Sequence, residues 1–229
     1  MPFKHGEEMI AALFSGGKDS TLAIHKASEA GLKPKLLITM KPYNEDSYMF
    51  HKPNIKYTSL QAKAMGIKHV IWDTEGEKEL ELKDLTEALK ANNVTKLITG
   101  AIASRYQKDR IESICKELGI EMISPLWGMD QEKELTEIAE KFEAIITKVA
   151  AYGLDESFVG ATINNEVIER LVALKKRYKI NIAFEGGEAE SFVLNAPMFK
   201  KRVKITSYHI TWDGTVGEYV IDGAELSDK

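Results

Sequence analysis

Residues 15–20 read Ser-Gly-Gly-Lys-Asp-Ser, directly after the apolar run Met-Ile-Ala-Ala-Leu-Phe of residues 9–14 and directly before a helical pattern over residues 21–30. This strand, glycine loop and helix constrain the fold more than any other part of the chain. A short apolar run ending in glycines reads as a buried strand, and buried strands that feed helices belong to parallel sheets covered on both faces. Gly16 and Gly17 allow a sharp turn and bring backbone N–H groups close to a ligand. The helix behind them adds unpaired N–H donors and a positive dipole end, a combination suited to phosphates. Ser15, Ser20 and Thr21 offer hydroxyls, and Lys18, read here as sitting in an open loop, offers a point charge for a polyphosphate. Asp19 either holds Mg²⁺ through water or caps the helix. The spacing differs from the Gly-x-x-x-x-Gly-Lys-Ser/Thr loop of common NTPases. The plainer alternative is a strand-to-helix turn that carries no ligand.

The same alternation continues through the first half. Strands are expected over residues 35–40, 69–72, 96–99 and 121–123, and helices over residues 57–65, 82–91 and 105–118, with Gly31, Gly66 and Gly119 as helix stops. Strands separated by helices of this length imply right-handed crossovers. The fold class expected is α/β: a doubly wound parallel sheet followed by a smaller α+β domain. In the second half, residues 131–142 form a charged amphipathic helix, residues 144–149 a strand and residues 165–179 a helix. From residue 180 the chain is β-rich. Residues 208–212 and 216–221 read as a hairpin through Asp213-Gly214, a pair that suits primed turns. A soft boundary near Gly128 divides residues 1–128 from residues 129–229, and the absence of a long linker implies close packing.

Composition narrows the function classes. Thirty-one Lys+Arg against 35 Asp+Glu give a net charge of -4, which argues against a mainly electrostatic nucleic-acid binder. RNA contact is therefore not favoured, although Lys200, Lys201, Arg202 and Lys204 cluster as either a docking patch or a solvated strand face. Cys115, the single cysteine, lies with Ile111, Ile114 and Leu118 at helical spacing and reads as core. One cysteine forms no intrachain disulfide and no paired-cysteine motif, so a reduced, cytoplasmic setting is expected, without a built-in glutaminase. The five histidines show no metal-ligand spacing. No apolar stretch suits a signal or membrane segment.

A second motif, Gly100-Ala-Ile-Ala-Ser-Arg-Tyr-Gln107, stands at the end of an expected strand, where open α/β sheets bind ligands. Arg105 and Arg110 either reach a phosphate or carboxylate or are solvated helix charges. Gln107 has the groups to read an adenine or an amide. Residues 43–56 are either a loop over the site or a connector.

The loop of residues 15–20 resembles the pyrophosphate loop of the ATP pyrophosphatase superfamily. Residues 100–107, with Arg110-Ile-Glu-Ser-Ile-Cys115 and Leu118-Gly119, resemble the signature of the diphthine–ammonia ligase family. So do Pro125-Leu-Trp-Gly128 with Asp130-Gln131, and Asn181-Ile-Ala-Phe-Glu-Gly-Gly-Glu-Ala-Glu-Ser191 leading to Ala196-Pro197-Met198-Phe199. The acidic run of residues 75–84 also fits. The family often has Pro-Cys-Gly before the first Glu of the second-half motif; Ile182, Ala183 and Phe184 stand there instead. The resemblance implies an adenine nucleotide alpha-hydrolase-like first domain and ATP with Mg²⁺. It also implies an acyl-adenylate of diphthine, formed on a translation elongation factor with release of pyrophosphate, and attacked by ammonia, supplied as ammonium, to give diphthamide and AMP. Ser15, Gly16, Gly17, Lys18, Asp19, Ser20, Gly100 and Ala101 are then the nucleotide residues, with Lys18 and Asp19 catalytic and Asp19 the metal ligand. Diphthine carries a quaternary ammonium, which carboxylates and aromatic faces hold. Arg105, Tyr106, Gln107, Trp127, Phe184, Glu185, Glu188 and Glu190 are the candidates for the second substrate, and Glu77, Glu79 and Glu81 form an acidic strip that is either a further candidate or solvated. The alternatives are an RNA-modifying ATP pyrophosphatase and a nucleotide sensor without chemistry.

Overall fold

The central strands of the first half are buried almost throughout, and their alternate residues face opposite sides, which builds a sheet with a core on each face. The computed structural model describes residues 8–43, 54–75 and 78–229. Its first part runs β1 (Ile10–Leu13), α1 (Lys18–Glu29), β2 (Leu36–Pro42), α2 (Thr58–Met65), β3 (Lys68–Thr74), α3 (Lys78–Ala91), β4 (Lys96–Ile98), α4 (Arg105–Leu118) and β5 (Glu121–Ile123). The strands are parallel in the order β3-β2-β1-β4-β5. Ile10 and Ala12 of β1, Leu37 of β2 and Ile98 of β4 face one core. Ala11, Leu36, Ile38 and Leu97 face the other, with Leu85, Leu89, Ile111 and Ile114 of α3 and α4. Strand order reverses between β1 and β4, so the chain leaves these two neighbours in opposite directions. A crevice at their carboxyl ends follows from that topology.

The second part comprises α5 (Gln131–Lys141), β6 (Glu143–Val149), α6 (Asn165–Tyr178), β7 (Ala189–Asn195), β8 (Arg202–Trp212) and β9 (Gly217–Ser227). Its four strands form an antiparallel sheet in the order β7-β6-β9-β8. The α1 and α2 face of the first sheet shares one core with this part, because Leu22, Ala62 and Met65 belong to the same buried cluster as Phe158, Phe192, Val203 and Ile221.

Several expectations need correction. Helix α1 starts at Lys18 rather than residue 21, with Gly17 as its N-cap. β7 gives bounds to a stretch expected only as β-rich, and Glu190 is a strand residue in it, paired with Lys148. The hairpin has four residues, rather than the expected three, between the paired Trp212 and Gly217. Asp213 builds that turn: its carboxylate accepts from the backbone N–H groups of Thr215 and Val216 at 2.8 and 2.7 Å. Glu81 is fully buried in α3 rather than solvated. Cys115 is buried in the second core, and burial pushes its thiol up to about 11. Glu77, His5, His51 and most of the segment of residues 43–56 lie outside the described residues, as does the side chain of Glu79. Among the described residues, no helix is long and apolar enough to cross a membrane.

Candidate active site

The glycine loop leaves β1 at the point where strand order reverses. Gly16 has φ +80, and a Cβ there would meet Gln61 Oε1 at 2.4 Å, so only glycine fits without displacement. Gln61, fully buried in α2, donates through Nε2 to the carbonyls of Gly16 at 2.8 Å and Val193 at 2.7 Å. The Val193 N–H donates to the Gly16 carbonyl at 3.0 Å. Loop, α2 and β7 are thus joined at one carbonyl. Ser191 of β7 completes the join, its Oγ accepting from the Lys18 N–H at 3.1 Å.

The hydroxyls turn inward. Ser20 and Thr21 donate to the Gly17 carbonyl at 3.2 and 2.8 Å, and Ser15 Oγ accepts from the Gly17 N–H at 3.3 Å. No side chain caps α1 at Gly17. By contrast, Ser104, Asp130 and Asn164 cap α4, α5 and α6. Apart from the Lys18 N–H that Ser191 holds, a first turn without a capping N-cap side chain leaves N–H donors for an external acceptor. β4 closes the other wall: a Cβ on Gly100 would stand 2.9 Å from both the Asp19 carbonyl carbon and the Ser20 nitrogen. Ala101 is buried beside it.

Lys18 corrects the sequence reading. It is fully buried, and its ammonium donates to Asp19, to Glu134 at 2.8 Å and to the Ala183 carbonyl at 2.7 Å. The same ammonium lies 5.3 Å from the centre of the Phe184 ring. Its donors are spent on the protein, so it is no open-loop phosphate ligand here. Burial opposes its charge, but the carboxylates of Asp19 and Glu134 outweigh burial and hold its pKa above the ordinary lysine value. Burial pushes the Glu134 carboxyl well above the usual carboxylate range; Lys18 pulls it down and Asp19 adds to the rise. Sequence reasoning missed Glu134, reading α5 as a charged amphipathic helix without singling out any of its charges. The helical period held the signal, since Glu134 lies one turn before the fully buried Ile138 and is itself fully buried.

The second-half glutamates are also engaged. Glu185 accepts from the backbone N–H groups of Ile102, at 2.6 Å, and Ala103, and so fastens its turn to the segment after β4. Glu188 accepts from the N–H groups of Gly186 at 2.8 Å and Asn181 at 3.1 Å, closing its own turn. Both carboxylates thus have backbone partners, a role their reading as candidates for the second substrate did not include. Arg105 is exposed, whereas Arg110 stacks 3.8 Å over the Tyr106 ring. The Gln107 N–H reaches the capping Ser104 hydroxyl at 3.5 Å. Trp127 is exposed at the carboxyl end of β5, with the Lys108 ammonium 4.6 Å from its ring centre.

Three acidic or imidazole groups, His25, Glu29 and Glu137, also approach one another. Lys26 and Lys141 already bind Glu137, at 2.6 and 2.9 Å, so this cluster is an ion-pair network between α1 and α5.

Comparison with known proteins adds an independent line. The family described as diphthamide synthase N-terminal domain matches residues 8–122, and the diphthamide synthase C-terminal domain matches residues 130–226. The human protein called diphthine–ammonia ligase is 32% identical over 225 residues, covering 88% of this chain and 84% of its own. The rat protein of that name is 34% identical, with 86% and 82% covered. The fission yeast protein of that name, Schizosaccharomyces pombe, is 30% identical over 88% of this chain but only 36% of its own longer one. Both parts of the fold, in order, carry this likeness, and the chain belongs to the diphthine–ammonia ligase family.

Proposed function

We propose that this chain is an ATP-dependent ligase that converts diphthine on a translation elongation factor to diphthamide, with ammonium as nitrogen donor. The observation that carries the reading is the uncapped glycine loop at the strand-order reversal, joined by hydrogen bonds to β7 of the second part. The donor set fits a nucleotide with its metal. The first turn of α1 offers N–H groups to phosphates, and Asp19, 34% exposed in its side chain, offers a carboxylate for Mg²⁺. When bound, ATP supplies a leaving group that makes the diphthine carboxylate reactive toward ammonia. The chain's own work is to orient. Gly16, Gly17 and Ser20 shape the phosphate cradle, and Gly100 and Ala101 bound it through their backbone. Lys18 acts indirectly, by fixing the start of α1 against Glu134 and the Ala183 carbonyl. Arg105, Tyr106, Gln107 and Trp127 border the side from which the second substrate enters. The division near Gly128 separates the nucleotide part from the part that bears on that substrate, and the setting is cytoplasmic.

The test is a product assay with α-labelled ATP, Mg²⁺ and ammonium, with and without the diphthine-bearing factor. AMP formation that requires the factor, with an equal gain of amide on it, is expected. AMP release without the factor, or amide formation that does not consume ATP, would sink the reading.

A further inference from the structure

Lys108, Glu112 and Trp127 form a small cation site that the nucleotide chemistry does not use. Lys108 and Glu112 stand one turn apart on α4, with the ammonium 3.3 Å from the carboxylate. The same ammonium lies 4.6 Å from the centre of the Trp127 ring. The segment that carries the ring is tied to the residues that follow β4. The Gly128 N–H donates to the Ile102 carbonyl at 2.8 Å, and Thr99 and Ser124 share a hydroxyl hydrogen bond of 3.0 Å. Helix α4 leaves β4, and the Trp127 segment leaves β5, at the carboxyl ends of their strands. The site therefore lies on the ligand-binding side of the sheet.

An aromatic face opposite a carboxylate is the donor set that recognises a quaternary ammonium. The glutamates expected to do this, Glu185 and Glu188, already accept backbone N–H groups, and the Phe184 ring already faces Lys18. Trp127 and Glu112 differ from them in having a flexible and partly exposed partner, since the Lys108 side chain is 23% exposed. Resting on the ligase reading above, we propose that Trp127 and Glu112 form the subsite for the quaternary ammonium of diphthine, and that the Lys108 ammonium occupies it in the free protein. The exchange is chemically reasonable in direction. A lysine ammonium has three N–H donors and regains strong hydration when it swings into water. A trimethylated nitrogen has none, is weakly hydrated, and gains more from the ring and the carboxylate.

Two measurements test this. Amidation kinetics would compare the diphthine-bearing factor with the same factor carrying the unmethylated amine. Trp127→Leu should raise KM for the trimethylated acceptor roughly tenfold and that for the unmethylated acceptor clearly less, leave the KM for ATP nearly unchanged, and be partly rescued by Trp127→Phe. Lys108→Met should lower KM for the trimethylated acceptor. Equal effects of Trp127→Leu on both acceptors, or none on either, would overturn the subsite. Separately, tetramethylammonium chloride, against sodium chloride, should shift the Trp127 indole resonance saturably, and more tightly in Lys108→Met. A flat titration in both proteins overturns the subsite whatever the enzyme acts on. Failure of the unaltered protein to form any amide overturns the ligase reading instead, and the titration then decides the subsite by itself.

Discussion

At the scale of single residues, the side chain that the sequence marks most plainly has the least expected position. A lysine between two glycines and an aspartate reads as a phosphate ligand, and its removal would then cost turnover rather than folding. The buried contacts of Lys18 with Asp19, Glu134 and the Ala183 carbonyl reverse that expectation. Lys18→Ala leaves a cavity, an unsatisfied carbonyl and a buried carboxyl group without its cation. We expect it to cost about 3 kcal/mol or more of stability, read by urea unfolding. Glu134→Ala should cost a comparable amount. Lys18→Met combined with Glu134→Leu should recover part of the loss, because an apolar pair of similar volume needs no desolvated charge. Additive losses in the double variant would show that the two side chains do not act as a pair.

At the scale of elements, the helices and strands of the first half were legible because their boundaries are chemical. α4 and β5 begin and end at the expected residues, since Gly119 supplies the left-handed C-cap at φ 67. β7 is expected only as part of a β-rich stretch without bounds, because its residues, Ala189–Asn195, follow two glycines and carry Glu190 and Ser191, so no clean alternation marks its ends. What fixes it is remote: the Gly16 carbonyl, the Lys18 N–H and Gln61. Gln61→Leu should therefore cost about 1–3 kcal/mol by leaving the Val193 carbonyl without that donor, and should weaken nucleotide binding through the loop. Retained affinity in an equilibrium titration would show that the loop holds its shape without α2. A second join links three strands. Thr39 of β2 donates to the Phe14 carbonyl at 2.6 Å, so the 2.8 Å contact from His69 of β3 has Nε2 as donor. Burial pushes the His69 pKa down to about 4 from the ordinary 6.5. The unfolded chain then takes up this proton first as pH falls through 6.5. Stability due to His69 is complete above that pH and lost progressively toward pH 4. After allowance for its partial exposure, the loss is about 1–2 kcal/mol. His69→Gln should flatten that window in urea midpoints measured from pH 7 to pH 4; an unchanged slope would assign it to other groups.

At the scale of the whole molecule, the sequence suggests two parts divided near Gly128; the parallel sheet is built from strands before that residue and the antiparallel sheet from strands after it. What no local pattern conveys is how the two parts are joined. Apolar residues of α1 and α2, such as Leu22 and Met65, look from the sequence like the inner face of a helix on its own sheet. They are also part of a cluster that runs through Phe192 and Ile221 in the second part. Polar contacts cross the same boundary at Lys18 with Glu134, Ile102 with Glu185, and Lys26 with Glu137, the last at 2.6 Å. Buried groups joined this way share their fate on unfolding, because opening either part exposes apolar surface and strands polar groups of the other. The protein should therefore melt as one unit despite its two sheets. Differential scanning calorimetry is expected to give a single transition, with a calorimetric to van't Hoff enthalpy ratio of about 1. Weakening the boundary by Glu134→Ala should lower that transition and leave it single, because the apolar cluster still spans both parts. Two resolved transitions in the unaltered protein would mean that the shared core is a docking surface between independently stable halves.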